Sequence, residues 1–163
     1  MKNLLIKLFL SGAIILMLAG CQSQKSDHQK MIDFGVEYTA AWNSKVPANM
    51  ASYYAEDGSL TVNNGTPAVG RDELAELAKS FMEAFPDMKL TMDSLVADAD
   101  TYRYYWTFTG TNTGSGGTGN KVNFSGFERW TMNKEGLIQK SIGTFDENEY
   151  NRQLSRNTPL TTD

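Results

Sequence analysis

Three side chains could do chemistry in this chain: Asp146, Glu128 and Asn112. Asp146 stands in "SIGTFDENEYNRQL", where a strand-like run passes into a helix-like one. It could be an N-cap, with Glu149 at N3 completing an acidic analogue of the capping box and Glu147 adding charge to the first turn. It could also be a general acid/base. Ile138, Ile142, Thr144 and Asp146 fall on one side of a regular strand, so the carboxylate would follow an apolar row to a cavity mouth. Burial there would raise its pKa toward a useful range. The two uses are compatible. Glu128 shares strand parity with Phe124, Trp130 and Met132, an odd place for a charge. Either it pairs with Arg103 or Lys140 on a neighbouring strand, or it is a second carboxylate polarising a ligand, and two such groups would drive their pKa values apart.

Other chemistries lack their parts. His28 and Cys21 are the only histidine and cysteine, which excludes Ser/His/Asp and Cys/His nucleophile arrangements within the domain and argues against a metal site. "GSGGTG" has the glycines of a phosphate cradle, but no lysine-serine/threonine follows and no helix starts there. It reads as a mobile hairpin loop near a pocket rim. No Lys/Arg cluster appears and the chain is acidic, with net charge −4, so no nucleic-acid partner is expected. No metal or cofactor is expected either.

The chain opens with Lys2 and Lys7, an apolar run from Leu8 to Leu18, and then "LAGC". This is the layout of an export signal, and the run is too short to span a membrane comfortably. Ala19 and Gly20 before Cys21 resemble the lipobox of bacterial lipoproteins, which implies lipidation of Cys21 and attachment to a membrane of the cell envelope. The expected divisions are a signal peptide over 1–20, a polar tether over 21–30, one domain over 31–156 and a tail over 157–163.

Positioning elements are legible from periodicity. Phe34, Tyr38, Ala41 and Trp42 follow helical spacing, and Asn43-Ser44 with Pro47 predicts its end. A short second helix is predicted from Pro47 to Tyr54, with Pro47 in its first turn. "SLTVNNG" reads as a strand entering a turn. In "GRDELAELAKSFMEAFPD", Leu74, Leu77, Ala78, Phe81 and Phe85 form one apolar face and Pro86 stops the helix. The second half changes to period two in "MKLTMDSLVAD", "TYRYYWTFT", "KVNFSGFERWTM" and, after "NKEG", "LIQKSIGTF". The order predicts an α+β fold, three helices preceding most of a strongly curved antiparallel sheet.

Together "VGRDELAELAKSFMEAFPDMKL", "GTNTGSGGTGNKVNFSGFERW" and "EGLIQKSIGTFDENEYNRQL" resemble the SnoaL-like polyketide cyclase family of the nuclear transport factor 2-like superfamily. The resemblance implies a conical barrel whose apolar interior suits a small hydrophobic or aromatic ligand. It also implies metal-free and cofactor-free aldol cyclisation or isomerisation of a carbonyl compound, with an aspartate acid/base whose place Asp146 matches. The family's common "GTHTG" is here "GTNTG". Asn112 therefore stands where histidine is usual, able to orient a group but not to exchange a proton near neutral pH. Trp42, Tyr54, Tyr104, Trp106, Trp130 and Ile142 are the candidate pocket walls, and a homodimer through the outer sheet face is implied as well. The alternative on the same scaffold is a non-catalytic binding lipoprotein.

Overall fold

The computed structural model describes residues 26–156. The expected signal peptide, Cys21 with the rest of the first half of the expected tether (21–25), and the 157–163 tail lie outside the described residues. Helix α1 (Asp27–Asn43) is capped by Ser26, whose side chain accepts from the Gln29 N–H. Tyr38, Ala41 and Trp42 give it a buried stripe at helical spacing. Lys45 takes a left-handed φ of 58°, which turns the chain into the short α2 (Pro47–Ala51), with Pro47 in its first turn. That helix ends before the predicted Tyr54, because Tyr54 already begins strand β1 (Tyr54–Val62).

A two-residue strand β2 (Ala68–Val69) leads into α3 (Gly70–Ala84), which Pro86 terminates. Strands β3 (Lys89–Asp98), β4 (Thr101–Thr111), β5 (Lys121–Met132) and β6 (Ile138–Phe145) then form an antiparallel meander, followed by α4 (Glu147–Leu154).

The curved sheet has six strands in the order β2-β1-β6-β5-β4-β3. Two expectations need correction. The sheet is mixed rather than antiparallel, because β1 runs parallel to β6, with Leu60 opposite Ser141 and Val62 opposite Gly143. There are four helices among the described residues, α4 packing on β5 at the C-terminal end.

A bulge corrects a third expectation. Thr131 pairs with Lys140 but Met132 pairs with Ile138, so Gln139 is an extra residue in β6. One inserted residue reverses side-chain parity beyond it. Ile138 faces the core, and then Ser141, Gly143 and Phe145 face inward, while Ile142 and Thr144 face outward. The inner face packs against α1 and α3 over a core rich in aromatic residues, among them the fully buried Tyr38, Tyr54, Phe85, Tyr104 and Trp130. Among the described residues, no helix is long and apolar enough to cross a membrane.

Candidate functional site

Strand alternation brings Phe124, Gly126, Glu128 and Trp130 of β5 to the concave face. Glu128 is therefore only 6% exposed. It forms no ion pair with Arg103 or Lys140, because both face outward, where Arg103 binds Asp98 at 2.9 Å. Instead Glu128 collects neutral donors. Its Oε2 accepts from Ser141 Oγ at 2.7 Å, Trp130 Nε1 at 2.8 Å and Tyr54 Oη at 3.2 Å. Tyr38 Oη donates between both oxygens, at 3.2 Å from each. Oε2 is thus saturated, and Oε1 holds a single shared contact.

Burial raises the Glu128 carboxyl above its ordinary value, against the opposing pull of Trp130, Ser141, Tyr38 and Tyr54. The same burial, followed by the nearby Glu128 charge, pushes the Tyr38 and Tyr54 phenols well up, so both stay protonated donors.

Beside this carboxylate lies an apolar cavity of about 60 Å³. Six aromatic side chains line it, Trp42, Phe81, Trp106, Phe108, Phe124 and Phe145, together with Leu60, Val62, Leu77, Leu90 and Gly143. Among the described residues, Glu128 is the one ionisable side chain in that wall. Val62, Leu77, Phe81 and Phe145 are the half-buried members and mark the open end. Trp106 lies across Gly126, where an added Cβ would stand 2.6 Å from its Cζ2. Gly143, opposite Glu128 on β6, leaves room for about one carbon there, since an added Cβ would rest in ordinary contact with Glu128 Cγ at 3.6 Å and Leu60 Cδ1 at 3.8 Å. A small apolar enclosure, open at one end, around one carboxyl group with a raised pKa can take in the end of a small molecule and exchange a proton with it.

The predicted residues divide sharply. Trp42 and Trp106 line the cavity. Tyr54, Tyr104 and Trp130 lie behind it. Tyr54 and Trp130 hold Glu128, and Tyr104 stacks on Trp130 at 4.7 Å between ring centroids. Ile142 is on the wrong side of the sheet, in an outer groove with Arg129 and Lys140. Asp146 does not reach the cavity wall. It is exposed, and its Oδ1 accepts from the Glu149 N–H at 3.0 Å as the N-cap of α4.

Asn112 is occupied structurally, donating to the Ala84 carbonyl at 3.1 Å and accepting from the Thr118 N–H at 2.8 Å. These bonds hold the glycine-rich loop against the end of α3, where a Cβ at Gly114 would collide with the Glu83 carbonyl. The loop packs as a strap on the end of α3. Sequence reasoning missed most of the apolar wall as a wall. Leu77 and Phe81 were visible as one helix face and Phe108 and Phe124 as inward strand positions, but periodicity does not separate packed core from cavity lining. Among the described residues, no group of three or more His, Cys, Asp or Glu side chains could hold a metal ion.

A family model described as SnoaL-like polyketide cyclase matches residues 35–154. No curated protein matches the chain. Solved structures share the fold at low identity. A hypothetical protein with a ketosteroid isomerase-like fold from Catenulispora acidiphila DSM 44928, in complex with trimethylamine, aligns with TM-score 0.67 and 14% identity over 78% of this chain and 98% of its own. A protein assigned as a SnoaL-like polyketide cyclase from Jannaschia sp. CCS1 aligns with TM-score 0.63 and 12% identity over 77% and 94%. SalBIII, an epoxide hydrolase/cyclase-like enzyme with a role in pyran ring formation in the polyether salinomycin, aligns with TM-score 0.65 and 17% identity over 76% and 95%.

Proposed function

Because the chain belongs to the SnoaL-like polyketide cyclase family, we propose that its cavity binds a small, largely apolar carbonyl compound and that Glu128 is the acid/base that moves a proton beside the carbonyl. The observation carrying this reading is that Glu128 alone, in an otherwise apolar wall, combines a raised pKa with one under-used oxygen. In the step, Oε1 takes a proton from the carbon next to the carbonyl, leaving an enolate and a neutral carboxylic acid. Tyr38, Tyr54, Trp130 and Ser141 steady the carboxyl group in both states. The enolate carbon then either takes the proton back at another position, which is isomerisation, or attacks a second carbonyl of the same molecule and the acid protonates the new alkoxide, which is aldol closure. SalBIII, on this fold, has a role in pyran ring formation, a closure through a C–O bond, and so supports ring closure as a class rather than the aldol step itself.

The test is deuterium exchange at the α-carbons of small ketones such as cyclopentanone in D2O. Glu128→Gln should abolish protein-promoted exchange, while Asp146→Asn should leave it unchanged. Exchange that survives in the first variant and vanishes in the second would overturn the assignment.

A second reading, a binding lipoprotein without turnover, draws on Asn112 and Asp146 both being committed to structure. Ketone binding with no exchange in the wild-type protein would select it. In either reading the domain is exported and held at the envelope by lipid on Cys21. Cys21→Ser should then move the protein from the membrane to the soluble fraction. A homodimer through the outer face of β3 to β6 fits the half-exposed Val96 and the Arg103–Phe127 contact there, and sedimentation would detect it.

A further inference from the structure

Two tryptophans of the cavity wall carry indole N–H groups that lack a hydrogen bond, and each Nε1 is itself fully buried, so an acceptor meets it only as the ring turns toward the cavity. Trp42 and Trp106 are 7% and 8% exposed, and neither Nε1 has an acceptor among the described residues. The Tyr38 phenol senses the Trp42 indole, yet no hydrogen bond of proper geometry joins them. The third tryptophan shows the contrast, since Trp130 donates to Glu128 at 2.8 Å. Buried indole N–H groups ordinarily find partners, and leaving one unmet costs ~1–3 kcal/mol. The two exceptions are both cavity residues.

The rest of the wall narrows what could meet them. Among the described residues no lysine or arginine lines the cavity, so a carboxylate or phosphate would enter beside Glu128 without a counter-charge from them. A hydrocarbon would leave both N–H groups unmet. An alkylammonium ion would suit Glu128 and the aromatic faces, but it would offer the indoles nothing. A neutral molecule with an oxygen acceptor satisfies all three groups. Trp106 is opposite Gly126 on β5 and so sits diagonally from Glu128 on the same face, a spacing of ~7–8 Å between backbones. A carbonyl oxygen on Trp106 can therefore present its neighbouring carbon to the carboxylate. Charge that develops on that oxygen would meet a donor with no competing partner among the described residues.

We infer that Trp106, assisted by Trp42, is the specificity-determining donor for the oxygen of a neutral ligand. This rests on reading the cavity as the ligand site. The probes are cyclopentanone and methylenecyclopentane, which have the same ring with a CH2 in place of the oxygen. In NMR titrations of the wild-type chain, the ketone should move the Trp106 and Trp42 indole N–H resonances downfield and leave that of Trp130 in place. The hydrocarbon should produce no downfield shift. Trp106→Phe keeps an aromatic ring without the donor, and it should lower the ratio of ketone to hydrocarbon affinity by about 3- to 10-fold, the worth of one hydrogen bond.

An unchanged ratio, indole resonances that ignore the ketone, failure of the ketone to bind, or displacement of the ketone by a lower concentration of trimethylammonium would each overturn the inference. The acid/base reading fails separately. In Glu128→Gln the indole shifts should persist while α-proton exchange disappears, and indole shifts without exchange in the wild type would defeat only the catalytic role of Glu128.

Discussion

Truncating Glu128 should destabilise the fold far more than neutralising it. Glu128→Ala removes the acceptor of Trp130 Nε1 and Ser141 Oγ, at 2.8 and 2.7 Å, while Tyr38 and Tyr54, whose phenol oxygens lie 3.2 Å apart, can bond to each other. Two orphaned buried donors at ~1–3 kcal/mol each give a loss of about 2–6 kcal/mol, a large part of the ~5–15 kcal/mol that holds an ordinary domain together. Glu128→Gln retains an acceptor oxygen and drops the buried charge. Burial already outweighs the four donors, as the raised pKa shows, so this loss should be about 1 kcal/mol or less.

The pH dependence has a definite sign. The native carboxyl binds its proton more tightly than the unfolded one, so its contribution to stability is complete below the unfolded value near 4.5 and is lost as pH rises through the native pKa. Urea unfolding of wild type, Gln and Ala variants between about pH 4 and about pH 9 measures all three effects. Wild type should lose ground to the Gln variant as pH increases. Equal stability of the Ala and Gln variants, or a wild-type advantage that widens with pH, would refute the reasoning.

Two further substitutions probe the supports of the site. Gly126→Ala would set a Cβ 2.5 Å from the Thr144 carbonyl and 2.6 Å from Trp106 Cζ2. It should cost ~1–3 kcal/mol or more, visible in the thermal midpoint, and displace the Trp106 ring, visible in near-ultraviolet circular dichroism. Asp146→Ala should lose ~1 kcal/mol as a missing N-cap, whereas Asp146→Asn should lose at most a few tenths, since both Asp and Asn cap well. Denaturation midpoints separate the two.

The α+β frame was legible because each long element carries its own period: the α1 stripe of Tyr38 and Trp42, the α3 face of Leu74 and Ala78, the alternation of Tyr104, Trp106 and Phe108. Glu128 was legible as an inward charge for the same reason. Its partners were not, because Tyr38, Tyr54 and Ser141 come from three other elements whose approach no local pattern records. Ile142 and Asp146 were placed inward by counting in twos across Gln139, and an inserted residue leaves no mark in such a count. The direction of β1 was hidden as well, because hydrophobic pattern is the same for parallel and antiparallel neighbours at a sheet's centre. Asn112 shows a different limit. A residue at a position associated with chemistry can be spent on holding a loop in place, and only the geometry reveals it.

The parallel union of β1 with β6 ties together stretches about eighty residues apart, Leu60 meeting Ser141. During synthesis α1 to α3 and the β3–β4 hairpin emerge long before that seam can close, so their greasy inner surfaces wait without a floor. Chains that stop short of Phe145 should therefore leave those rings open to water and to one another, and clump rather than fold. The hollow is the last part of the molecule to exist.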